Sequence, residues 1–154
     1  MKILIISDAW HPQVNGVVRT YENLKTHLEK NGHTVQVIGP RDFDRRIAMP
    51  GYKEIELAYA AYNALKKLIK DYSPDSIHIA TEGPLGWSAR KYCLRHNIKF
   101  TTMYHSQFPE YFSTLVAKTF HFLRKISFNF SKNVIIKFHT PYSALLFSTK
   151  SIAQ

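Results

Sequence analysis

Three short segments carry the residue types that do chemistry, and each directly follows an apolar run. The first is Ser7-Asp8-Ala9-Trp10-His11-Pro12-Gln13-Val14-Asn15-Gly16-Val17-Val18. Gly16 stands where a helix begins, so free backbone N–H groups beside Asn15, Gly16 and Val17 can hold a phosphate or sugar oxygen. The GxGxxG spacing of a dinucleotide loop is missing, and an ordinary strand-to-helix turn with Asn15 as its cap explains the same residues. The second segment is Ala80-Thr81-Glu82-Gly83-Pro84-Leu85-Gly86-Trp87. Gly83 and Pro84 force a sharp turn, Gly86 permits close approach of the helix that follows, and Glu82 could bind a sugar hydroxyl; a capped turn is the alternative. The third is Tyr104-His105-Ser106-Gln107-Phe108-Pro109-Glu110-Tyr111. His105 follows a strand immediately, among hydrogen-bonding side chains, and is a candidate catalytic residue, with a structural histidine as the alternative. His11, Glu82 and His105 could converge. No HxxxH, HxxE or CxxC spacing occurs, so a metal site is not expected.

These segments need a scaffold, and the intervening pattern supplies one. Lys2–Ile6, Thr34–Ile38, Ser76–Ile79, Lys99–Tyr104 and Val134–Phe138 read as short buried strands. Between them, Val17, Tyr21, Leu24 and Leu28 recur at helical spacing, with Lys30, Asn31 and Gly32 as the stop. Residues 41–52 read as polar and irregular, broken by Pro50 and Gly51. A second helix is expected over Ala58–Lys70, with Leu65, Leu68 and Ile69 inward, ended by Ser73 and Pro74; a third is expected over Leu85–His96. Thr140 is expected to cap a last helix from Pro141. Strand–helix alternation predicts an α/β fold, a Rossmann-like open parallel sheet with helices on both faces. In such sheets ligands bind outside the carboxyl ends of the strands, where all three segments fall. No linker or repeat divides residues 1–154, so a single domain is expected.

Composition narrows the partners. Lys plus Arg number 21 against 11 Asp plus Glu, a net charge of +10, which favours an anionic partner. Lys118, Arg124 and Lys125 lie in a stretch, Phe112–Phe130, rich in phenylalanine. That stretch suits the surface of an anionic membrane, or alternatively a core-facing helix with solvated cations. No RNP, KH or zinc-finger pattern appears, so nucleic acid is not expected. Cys93 is the one cysteine, so a disulfide framework is excluded and a cytoplasmic setting is expected, peripheral on the membrane face.

Taken together, the segment from Ser7 to Val17, then Asn31-Gly32-His33-Thr34-Val35, then Ala80 to Gly86, then Tyr104 to Tyr111, resembles glycosyltransferase family 4 in order and spacing. The resemblance is good over about the first 110 residues and looser beyond. It implies the N-terminal, acceptor-side half of a retaining, nucleotide-sugar-dependent enzyme of the two-domain GT-B architecture. By that resemblance Gly16, with Asn15 and Val17, lies against the donor diphosphate and sugar, and His105 approaches the donor sugar as the catalytic residue. His11, Glu82, Gly83, Tyr104 and Glu110 then line the acceptor or cleft side, and Lys118, Arg124 and Lys125 face the membrane. The acceptor is a lipid or glycan, and no metal cofactor is implied. The family's donor-binding half carries an E-x7-E motif, and no two glutamates here stand eight apart. The expectation is therefore a chain without its donor-binding domain, inactive alone unless a partner chain supplies that half. A non-catalytic binding or membrane-association module left by truncation is the alternative.

Overall fold

A computed structural model describes residues 1–49, 52–104, 133–134, 136–140 and 144–147. Lys2–Ile6 (β1) is flanked by Thr34–Ile38 (β2) on one side and Ser76–Ile79 (β5) on the other, both parallel to it. Phe100–Tyr104 (β6) lies parallel beside β5, and Ala144–Phe147 (β7) parallel beside β6. The sheet order is β2-β1-β5-β6-β7, so the connection leaving β1 and the one leaving β5 run in opposite directions along the sheet, and such sheets bind ligands at the carboxyl ends beside that switch point.

Alternation along the strands sorts the core onto two faces. Ile5, Val35 and Ala80 form a cluster with Tyr21 of α1 (Gly16–Lys30), and Ile3, Val37, Val17, Leu24 and Leu28 pack against it. Leu4, Ile6, Ile77 and Ile79 take the alternate positions and are fully buried. The second face is served by α3 (Pro84–Arg95), where a Cβ at Gly86 would touch Ile79 at 3.4 Å. Leu65 and Ile69 are the buried residues of α2 (Tyr62–Tyr72), as their spacing predicts, while Leu68 is half-buried.

The helix punctuation is as the sequence predicts at α1. Asn15 caps it, and Gly32 follows the Asn31 cap at φ +80°, a conformation that glycine alone adopts without strain. Ser73 ends α2 in the left-handed region, at φ +51°.

Three expectations are corrected. Residues 41–52 are not irregular. A 3-10 turn at Pro40–Asp42 leads into an antiparallel hairpin of Arg46–Met49 (β3) and Tyr52–Ala58 (β4); the turn residues Pro50 and Gly51 lie outside the described residues. Charged residues hide the alternation of Ile55 and Leu57, and Glu56 pairs with Arg46 at 3.6 Å across the ribbon and with Arg41 of the 3-10 turn at 3.1 Å. Second, α2 starts at Tyr62, because Ala58 belongs to β4. Third, Val134–Phe138 is not a strand. Residues 133–134 and 136–139 are helical, with Phe138 buried and Ile136 exposed. Val134 and Phe138 stand four apart, so this short apolar run fits either period. The fifth parallel position goes to Ala144–Phe147, in place of a helix from Pro141. Ala-Leu-Leu-Phe favours helix intrinsically, and pairing with β6 overrides that preference.

The chain divides into two compact units, Met1–Tyr104 with Tyr142–Gln154, and His105–Pro141. The sheet belongs to the first.

Candidate functional site

The loop after β1 is wired from within. Ser7 is fully buried; its N–H donates to the Ile38 carbonyl at 3.0 Å, and its hydroxyl donates to the Ala9 carbonyl at 2.7 Å. At the far end, Asn15 Oδ1 accepts from the Val18 N–H at 3.0 Å, the ordinary N-cap bond. Gly16 is exposed, and a Cβ built there would meet nothing within 4 Å. Among the described residues, the N–H groups of Gly16 and Val17 have no partner. The Val17 side chain turns inward to the α1 cluster, so its contribution at the helix end is its backbone. His11 is exposed and pairs with Glu22 of α1 at 3.0 Å.

The second helix end is closed from another part of the chain. Asp8, buried directly after β1, accepts from the Leu85 N–H at 2.8 Å and the Gly86 N–H at 3.1 Å. Thr81 adds its hydroxyl at 3.0 Å and receives the Asp8 N–H at 2.7 Å. Gly83 is the N-cap residue of α3 and has no side chain to offer, so Asp8 performs the capping. A Cβ at Gly83 would overlap the Asp8 carboxylate, and one at Gly86 would overlap the Thr81 carbonyl oxygen. Burial pushes the Asp8 carboxyl up from its ordinary range; the three hydrogen bonds oppose that rise, and the Glu82 charge adds to it. Asp8 is the residue sequence reasoning missed. Its one local signal was an acid at a strand's carboxyl end, and its partners lie 73 to 78 positions away.

A third polar group ties α1 to the sheet. The fully buried Tyr21 hydroxyl is 2.8 Å from His78 Nε2, and His78 Nδ1 is 2.7 Å from the Thr101 hydroxyl. Burial, with a smaller contribution from Glu82, raises the Tyr21 hydroxyl so that it stays neutral.

The structure thus gathers Asn15, Gly16 and Val17 at one helix end and Gly83 at another; Asp8 binds the second directly and is linked to Asn15 at the first through Gln13. Glu82 is half-buried next to the second. The Tyr104 backbone ends β6, while His105, Glu110, Lys118, Arg124 and Lys125 lie outside the described residues. Among the described residues no group of three His, Cys, Asp or Glu side chains could hold a metal ion, and no helix is long and apolar enough to cross a membrane. Two unfilled N–H groups at a positive helix end can stabilise an oxyanion or phosphate.

Known proteins are similar to this chain over much of its length. An alpha-monoglucosyldiacylglycerol synthase of Streptococcus pneumoniae is 32% identical over 72% of this chain and 28% of its own. A GDP-mannose-dependent alpha-mannosyltransferase of Corynebacterium glutamicum is 29% identical over 58% of this chain and 25% of its own. An alpha-monoglucosyldiacylglycerol synthase of Acholeplasma laidlawii is 27% identical over 89% of this chain and 36% of its own. The chain therefore spans about a quarter to a third of the length of these relatives. The family model for Glycosyltransferase Family 4 matches residues 14–150. With its parallel sheet and its βα loops at the carboxyl edge, this chain belongs to glycosyltransferase family 4.

Proposed function

We propose that this chain is the acceptor-side, Rossmann-like half of a retaining glycosyltransferase that moves a sugar from a nucleotide sugar to a membrane lipid or glycan. The observation that carries the reading is the open end of α1. Gly16 has room for a ligand where a side chain would stand, and the Gly16 and Val17 N–H groups lie unfilled among the described residues. Departure of a nucleoside diphosphate builds negative charge on its phosphate oxygens, and preoriented N–H donors at a helix end lower the energy of that charge. The second half of a two-domain enzyme would close the site, exclude water and grip the nucleotide. His105, the next residue after β6, takes the role of a hydrogen-bonding group at the donor sugar. The relatives' names support the substrate classes: a glucosylated diacylglycerol for one, GDP-mannose for another.

The test is sugar transfer by the complete two-domain enzyme. A Cβ at Gly16 meets nothing within 4 Å, so Gly16→Val leaves the unfolding midpoint in place while obstructing the ligand. Gly16→Val and His105→Ala are each expected to lower kcat/KM on the order of 10²-fold, the scale of one lost transition-state contact. Wild-type transfer by Gly16→Val would sink the reading of this site, and wild-type transfer by His105→Ala would make His105 structural.

The same reading gives Lys118, Arg124 and Lys125 to an anionic membrane surface, supported by the +10 net charge. Each basic residue near such a surface contributes about 1 kcal/mol at low salt. Changing all three to glutamine should release the protein from anionic vesicles in sedimentation, as added salt does to the parent. Undiminished retention would assign the charge another role.

A further inference from the structure

The loop that presents Gly16 has an inverted polarity. Gln13 is 7% exposed, whereas its neighbour Val14 is 76% exposed, and His11 and Pro12 are exposed as well. A buried primary amide needs partners for both its ends, and Gln13 has them. Its Nε2 donates to the Asp8 carbonyl at 3.3 Å, and its Oε1 accepts from Asn15 Nδ2 at 3.4 Å. Asn15 in turn accepts from the Val18 N–H. The direction of this chain is forced from both ends. The Val18 N–H can only donate, so Asn15 must offer its oxygen there and its Nδ2 to Gln13. The Asp8 carbonyl can only accept, so Gln13 must offer its Nε2 there and its oxygen to Asn15. Both amide orientations are thereby set without ambiguity. The Asp8 carboxylate meanwhile fills the end of α3. One continuous hydrogen-bonded strut runs from the amino terminus of α3, through Asp8, Gln13 and Asn15, to the amino terminus of α1.

We propose that Gln13 is a positioning residue for the ligand site at Gly16 and Val17; this rests on the reading of that site given above. Gln13 touches no ligand itself. It holds Asn15 in the rotamer that keeps the first turn of α1 wound and its two free N–H groups aimed outward. The strut's two middle bonds, at 3.3 and 3.4 Å, are long for their kind. Losing them therefore perturbs the placement of the helix end more than the stability of the domain. Positioning of this sort appears in the binding of the anionic substrate and in the departure of its phosphate, because small misplacements of donors are costly there.

Two variants disconnect the strut in different ways. Gln13→Met keeps the length of the side chain and removes both bonds. Asn15→Ser keeps an effective N-cap oxygen and removes the link to Gln13. In the complete enzyme each is expected to lower kcat/KM for the nucleotide sugar about tenfold, raising KM and lowering kcat together, because the same N–H groups hold the bound phosphate and the charge of its departure. The double variant should be no worse than either single one, because both cut the same strut. In this chain alone, Gln13→Met should speed hydrogen exchange of the Val18 amide about tenfold and leave the β1 and β5 amides unchanged. Unchanged Val18 exchange, or kcat/KM effects that multiply in the double variant, would overturn the proposal. Should Gln13→Met fail to fold, Asn15→Ser decides alone: a wild-type kcat/KM overturns it. Loss of the site reading is separable, since Gly16→Val would then leave kcat/KM untouched while Val18 exchange still reports on the strut.

Discussion

Asp8→Ala is expected to cost this domain about 2–4 kcal/mol, the sum of two buried N–H groups left without an acceptor and a lost hydroxyl partner, offset by relief of a buried charge. The N–H groups of Leu85 and Gly86 both donate to the Asp8 carboxylate, and both bonds are buried. Among the described residues no other side chain caps α3, whose N-cap position is Gly83. For a domain of this size the loss corresponds to roughly 10 °C in Tm. Asp8→Asn should cost less, since it keeps one acceptor oxygen, yet it sets an NH₂ group against one of the donors. The pH dependence has an unusual sign. Burial raises the Asp8 carboxyl above its unfolded value, so the folded state holds the proton more tightly than the unfolded chain does. The stability this group contributes is greatest below the unfolded pKa, about 4, and falls as pH rises through the elevated folded value. The advantage of the parent over Asp8→Asn, measured by urea unfolding, should therefore shrink from pH 4 towards neutrality. An advantage that grows over that range would mean that the three hydrogen bonds outweigh desolvation.

Asp8 also marks where the sequence stops being legible. β1, β2, β5 and β6 are readable because each is a short apolar run closed by polar residues, glycine or proline, and nothing beyond the strand is needed to recognise it. The ends of α1 are readable for the same reason: Asn15 accepts from the Val18 N–H three residues on, and Gly32 takes its positive φ locally. The pressure on Gly86 was legible too, as a place where a helix must come close. What closes the end of α3 was not, because a carboxylate 77 positions upstream fills it. The Tyr21–His78–Thr101 chain is likewise non-local: it spans three elements, and its apolar neighbours in sequence give no sign of it. The β3–β4 hairpin escaped because the ion pairs of Glu56 with Arg41 and Arg46 put charged residues where a polar loop is also expected. At the site itself, the open helix end at Gly16 was readable from residue type, whereas the buried Gln13 beneath it was not. Glutamine in a loop carries no mark of burial, and only the placement of Asp8 and Asn15 gives it partners.

Gly86 and Gly16 supply a paired test of how close packing and open space divide the two helix ends. Gly86 stands in the first turn of α3, where a Cβ would lie well under 3 Å from the Thr81 carbonyl oxygen. That obstacle is main chain, held by the loop whose Thr81 side chain is bonded to Asp8, so it cannot swing aside as a flexible side chain would. Gly86→Ala must push α3 off the sheet or bend the loop, and either motion stretches the Gly86 N–H to Asp8 bond. Overpacking against fixed backbone costs about 1–3 kcal/mol, with the upper end expected here. The better helix propensity of alanine returns up to about 1 kcal/mol, leaving a net loss of about 2 kcal/mol in denaturant unfolding. Gly16→Ala, in open space at the start of α1, should be neutral or more stable by up to about 1 kcal/mol, through the reduced freedom of the unfolded chain. The two substitutions are chemically identical, so their difference isolates the surroundings. Equal unfolding midpoints would mean that the Thr81 carbonyl yields at little cost, and that α3 is seated on Asp8 less firmly than its hydrogen bonds imply.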